Sequence, residues 1–177
     1  MRLRTFTALA AAAASLAAAP AALAHTRKIG NASGTPSMNV CVLGFNCTYI
    51  NAQSGKPSDV VRHTGTITSW SLNAGSQGGR VRLRALRPIA GGKFKAIRSS
   101  VLRTVLTTGL NTFPAHLGVR KGDVLALGND SSGIYMAQST PGTSIKYFSN
   151  PFGDGSTGAP DRTATQLHVL LSAQLHY

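Results

Sequence analysis

The sequence predicts an all-β chain: an antiparallel β-sandwich, jelly-roll-like, of about ten strands. Three observations predict it. Glu is missing from all 177 residues, and beyond the first 24 the chain draws on Thr, Ser, Gly, Val and Leu. Those residues suit strands and turns, whereas exposed helix faces are usually built from Glu, Lys and Ala. Short strand-like runs then recur, separated by turn signals rich in Gly, Pro, Asn, Asp and Ser. The closing stretch "TQLHVLLSAQLHY" places Leu167, Val169, Leu171, Ala173 and Leu175 on one parity. Gln166, His168, Ser172, Gln174 and His176 fall on the other, with Leu170 the exception. A period of two is that of a half-buried strand; a helix would bring Leu167, Leu171 and Ser172 together.

The elements follow in order. "MRLR" precedes the apolar run "TFTALAAAAASLAAAPAALA", which ends on the small-x-small triplet Ala22-Leu23-Ala24. That is the pattern of a secretory signal peptide over residues 1–24. The run is Ala-rich, contains Pro20 and is short for a transmembrane span. Residues 25–38, "HTRKIGNASGTPSM", read as a flexible polar lead-in, and 39–177 as a single sandwich domain. The expected strands are "CTYIN", "GTITSWSLN", "RVRLRALR", "KFKAIRSS", "VLRTVLTT", "NTFPAHLGV", "DVLALG", "IYMAQ", "IKYFS" and the closing run. In the Trp strand, Trp70 and Leu72 share parity with Thr66 and Thr68 while Ile67 opposes them. A β-bulge or burial on both faces would reconcile that pattern.

Without residues 1–24 the chain keeps 16 basic residues against five Asp, a formal charge of +11. Two cysteines, Cys41 and Cys47, are expected to pair in an exported protein. The small ring is a local staple of about 2.4 kcal/mol. Two thiolates at this spacing do not suit zinc, which needs two more ligands.

Motifs of catalysis are thin. Asp59, Asp123, Asp130, Asp154 and Asp161 sit in or beside turns, and no pair is marked for glycoside hydrolysis. "GDGSTG" at 153–158 matches Gly-x-Gly-x-x-Gly by letter, but "APD" follows it and no helical period does. Asp154, Ser156 and Asp161 offer too few carboxylates for a calcium site. There is no Gly-x-Ser-x-Gly elbow and no His-Glu-x-x-His. His63, His116, His168 and His176 are scattered, so no metal and no cofactor are expected. "KGD" at 121–123 is explained by its turn. Spacing alone leaves open a triad assembled in three dimensions from His63 or His116 and an Asp.

"GRVRLRALRP", residues 79–88, is the most distinctive stretch. On a strand, Arg80, Arg82 and Arg84 point one way, about 6.6 Å apart, and Val81, Leu83 and Ala85 the other. If the next strand pairs Ala85 with Phe94, Arg84 meets Lys95. Like charges directly opposite destabilise, so a counter-anion relieves them or the strands lie in different sheets. The arginines read either as a solvated face or as a stripe for an acidic polymer. No recognition helix or aromatic interleaving suggests sequence-specific nucleic-acid reading.

"GTITSWSL", "GRVRLRALRP", "GKFKAI", "GLNTFPAHLGVRKGDVLAL" and "NPFGDG…LHVLLSAQL" occur in that order. The succession resembles an exported β-sandwich domain family of high-GC actinobacteria over about residues 41–175. The resemblance implies a jelly-roll-like fold and export, and carries no activity with it. The expected function is that of a non-catalytic extracellular or cell-envelope module contacting an anionic polymer through Arg80, Arg82, Arg84 and Lys95. Wall polymer, acidic glycan and DNA are the partners in view. A structural or protein-partner module is the alternative, and a secreted hydrolase the third reading. No segment after the signal is long and apolar enough to span a bilayer.

Overall fold

The structure, a computed structural model, describes residues 24–39, 46–131, 134–150 and 152–177. Residues 1–23 of the expected signal lie outside the described residues, as does Cys41 and with it the expected Cys41–Cys47 pairing. The described chain forms β1 (Thr26–Asn31), β2 (Cys47–Gln53), β3 (Lys56–Pro57), β4 (Gly65–Ala74), β5 (Arg80–Ile89), β6 (Lys93–Ser99) and β7 (Arg103–Thr104). It continues with β8 (Gly109–Val119), β9 (Val124–Asn129), β10 (Ala137–Phe148), β11 (Thr157–Gly158), β12 (Arg162–Val169) and β13 (Leu171–His176). Among the described residues no α-helix occurs, and no helix is long and apolar enough to cross a membrane.

The strands make an all-β sandwich of two antiparallel sheets. The smaller runs β1-β13-β4-β8; the larger runs β11-β6-β5-β9-β2-β10-β12, with β3 beside β2 and β7 beside β5. Their facing sides fuse into one core. Ile29, Trp70, Leu72, Phe113, Leu117 and Leu175 of the smaller sheet meet Tyr49, Val81, Leu83, Leu125, Leu127 and Ile145 of the larger. A second apolar cluster covers part of the larger sheet's outer side, where Ile50, Leu86, Ala96 and Ala126 pack with Phe94, Phe148 and Phe152. Phe148 and Phe152 stack with ring centroids 3.9 Å apart. Leu86 shares parity with Arg82 and Arg84, so one face of β5 is basic at one end and apolar at the other.

Four local readings are corrected. Residues 26–31, expected in a flexible lead-in, form β1 and pair with β13 from Thr26↔His176 to Asn31↔Leu171. Their pairing partner lies at the far end of the chain, beyond the reach of local pattern. The closing run is two strands rather than one: β12 belongs to the larger sheet, β13 to the smaller, and the chain changes sheet at Leu170. Leu170, the parity exception, is buried at that crossing. "IYMAQ" and "IKYFS" contribute to one strand, β10, and the "STPGT" turn signal between them becomes a register shift between Ser139 and Ser144. "VLRTVLTT" yields only the two-residue β7.

The Trp strand carries the bulge its parity called for. Against β13, Ile67 pairs with Leu175 and Ser69 with Gln174, which leaves Thr68 as the extra residue. Ile67 and Trp70 therefore both enter the core.

The sheet change is held by a buried amide. Asn51 on β2 donates from Nδ2 to Val169 O at 2.9 Å and accepts at Oδ1 from Val169 N at 2.8 Å. The same Nδ2 donates to Asp59 Oδ2 at 2.9 Å. Val169 stands opposite Ala137 of β10, and the Asn51 side chain supplies the partners for its backbone N–H and C=O at the crossing.

Candidate functional site

The arginine strand lies in the larger sheet between β6 and β9. Val81, Leu83 and Ala85 enter the core, as parity required. Arg80 is exposed, Arg82 half-buried and Arg84 buried. Here the expectation of a solvated row is modified by carboxylates brought from elsewhere. Arg82 forms an ion pair with Asp130. Arg84 donates from Nη1 to Ser99 Oγ at 2.7 Å and lies 3.8 Å from Asp154 Oδ1. Burial pushes the Arg84 guanidinium below its usual range, and the neighbouring Arg82 charge adds to the effect. Both guanidinium stems cross β9 at Gly128: a Cβ there would stand 2.6 Å from Arg84 Nε and 3.0 Å from Arg82 Cγ.

The supposed register between β5 and β6 is also corrected. Arg84 faces Ser99, and the residue opposite Lys95 is Arg87. The whole pairing is displaced by three to four positions from the supposed one, and the register shift between Ala85 and Leu86 accounts for one of them. The strands share a sheet, and the counter-anion is internal: Asp123 accepts from Arg87 Nε at 2.8 Å and Nη2 at 3.2 Å. That hydrogen bonding raises the Arg87 guanidinium further. Asp123 also accepts from Arg120 N at 2.8 Å, the turn role expected of "KGD".

The remaining carboxylates are equally occupied. Asp154 of "GDGSTG" accepts from Ser99 N at 3.1 Å and Ser99 Oγ at 2.6 Å. That loop is laced to β6 by Gly155 N→Ala96 O at 2.8 Å and Ala96 N→Ser156 O at 2.9 Å. Asp161 accepts from Ser149 N at 3.1 Å. Asp59, 4% exposed, accepts from Asn51 and from Ser58 Oγ at 3.3 Å. Burial raises its carboxyl above the usual range.

All five Asp are thus engaged by the chain itself, and three of them meet Arg82, Arg84 and Arg87. Of the 16 Lys and Arg beyond residue 24, the other thirteen have no ion pair among the described residues. Within the expected stripe, Arg80 and Lys95 are exposed members of that group.

A concentration of cations that sequence reading missed lies at another end of the sandwich. Arg27, Lys28, Ile29 and Gly30 of β1 join Ser58, Val60 and Arg62 around a cleft of about 110 Å³. The turn that carries the chain from β8 of the smaller sheet to β9 of the larger, with Arg120 and Lys121, adjoins this end: Lys121 N bonds Thr64 Oγ1 at 3.2 Å and Gly122 N bonds Val61 O at 2.8 Å. Tyr177 stacks on His63 with centroids 4.2 Å apart and lies 5.8 Å from the His25 ring. The signal for this site was weak. Arg27 and Lys28 stood in a stretch read as lead-in, and Arg62 is 34 residues or more away along the chain.

The histidines offered for hydrolysis are placed apart. His63 lies against Tyr177, and His116 lines an open cleft with Ser99, Ser100, Arg103 and Pro114. Among the described residues no hydrogen bond or ion pair joins either to an Asp, and no group of three or more His, Cys, Asp or Glu is placed to hold a metal. Compared with known proteins, the chain matches no family model, no curated protein and no solved structure.

Proposed function

We propose that this protein is an exported, non-catalytic binding module for anionic polymers. The observation that carries the reading is the occupation of all five Asp by internal contacts, which leaves thirteen Lys and Arg without an ion pair among the described residues. Such a surface attracts acidic chains without repelling them locally. Within the stripe Arg80, Arg82, Arg84 and Lys95, the pairing of Arg82 and Arg84 shifts the contact to Arg80, Lys95 and the other free cations. The n-, h- and c-region pattern of residues 1–24 supports export, as does the resemblance to exported sandwich domains.

The test is retention of the mature chain on immobilised heparin, polyphosphate and DNA across a salt series. Retention at about 50 mM salt that is lost progressively towards several hundred millimolar is expected, because counterion release drives such binding. Passage through all three matrices at low salt overturns the proposal. A second reading, a protein-partner surface, draws on Leu106 and Leu110, which are 72% and 61% exposed. Salt-insensitive association with one defined protein would favour it.

A further inference from the structure

We infer that the cleft between β1 and the 58–62 segment is an anion site, and that its ligand is a phosphate group carried on a polymer. This rests on the polyanion reading above and gives it a place. Arg27, Lys28 and Arg62 line the cleft, and no carboxylate lines it. Asp59 lies behind Gly30, its oxygens engaged by Asn51 and Ser58. A Cβ on Gly30 would stand 2.5 Å from Leu171 O, so glycine lets β1 close on β13 here, with Asp59 Cγ at ordinary contact distance beneath it.

The backbone adds donors. Among the described residues β1 is the edge strand of the smaller sheet, paired with β13 alone. His25 and Tyr177 exchange both hydrogen bonds, N→O at 2.8 Å and 3.0 Å. In an antiparallel ladder such pairs alternate, so Arg27 and Ile29 bond to β13 while the N–H groups of Lys28 and Gly30 face away from it. Lys28 and Gly30 are also cleft-lining residues. The residues lining the site thus bring two arginines, one lysine that also borders the neighbouring cleft beside Ser172 and Gln174, and outward edge amides.

That donor set exceeds what a carboxylate can use. A carboxylate carries one charge on two oxygens; a phosphate group offers three strong acceptor oxygens and up to about two charges. Arginine forks match phosphate bidentately, while lysine adds a point charge. The small volume admits one such group, with the rest of the polymer lying along the flank that bears Arg120 and Lys121.

The experiment measures the affinity of the mature chain for long-chain inorganic polyphosphate over a salt series. The cleft variant R27Q/K28Q/R62Q is set against a control, K56Q/K93Q/R162Q, that removes the same charge from exposed positions outside the cleft. The cleft variant is expected to lose at least tenfold in affinity and to flatten the log–log salt slope by about two, whereas the control stays within about threefold. Equal losses in both variants refute the cleft and leave the general polyanion reading standing. No binding by the wild type refutes that reading itself. Heparin and alginate serve as sulfate and carboxylate arms; binding of either as tight as polyphosphate, lost equally in the cleft variant, overturns the phosphate assignment.

Discussion

Replacing Asn51 by Ala should unfold the sheet crossing and with it much of the protein's stability. The side chain makes three buried hydrogen bonds, to Val169 N, Val169 O and Asp59 Oδ2. Val169 is 1% exposed, so water does not replace what is lost there. Each buried group left unpaired costs about 1–3 kcal/mol, and Asp59 retains Ser58, so the total is about 4 kcal/mol. In a domain of this size that lowers Tm by about 8–16 °C. Thermal and urea unfolding followed by circular dichroism measure it, with the urea slope unchanged if only the folded state is affected. Asn51→Asp serves as a second probe. It retains the acceptor for Val169 N–H but places a second carboxylate against Asp59, so its loss should be larger at pH 7 and shrink on acidification. A Tm fall below about 3 °C for Asn51→Ala would show that the crossing is held by packing alone and refute the reasoning.

Further outcomes are expected at the carboxylates and the arginine strand. Because burial raises the Asp59 carboxyl, the folded chain holds that proton more tightly than the unfolded chain. Stability therefore falls as pH rises from the ordinary carboxyl range through the raised value; wild type should gain on Asp59→Asn as pH drops from 8 to about 4, and a widening deficit would contradict this. Gly128→Ala drives a methyl to 2.6 Å from the buried Arg84 Nε, which should cost about 1–3 kcal/mol by thermal unfolding. Asp123→Ala removes three hydrogen bonds and leaves Arg87 facing Lys95, with an expected loss of about 2–4 kcal/mol that grows as salt is lowered.

The sequence by itself determined the fold class, because side-chain alternation is a local property with a period of two. It placed Val81, Leu83 and Ala85 in the core, marked the irregularity at Thr68 and singled out Leu170, where the chain leaves one sheet for the other. Only the tertiary structure decided what the arginines do. Arg82 and Asp130, Arg87 and Asp123, and Arg84 and Asp154 are 48, 36 and 70 positions apart in the chain, and their meeting depends on strand order and register. The β5–β6 register, three positions from the one that would pair Arg84 with Lys95, sets Arg87 opposite Lys95 instead. The basic cleft is likewise a product of topology. β1 takes its place only when the last strand arrives to pair with it, so Arg27 and Lys28 carry no local sign of the neighbour, Arg62, that completes the charge.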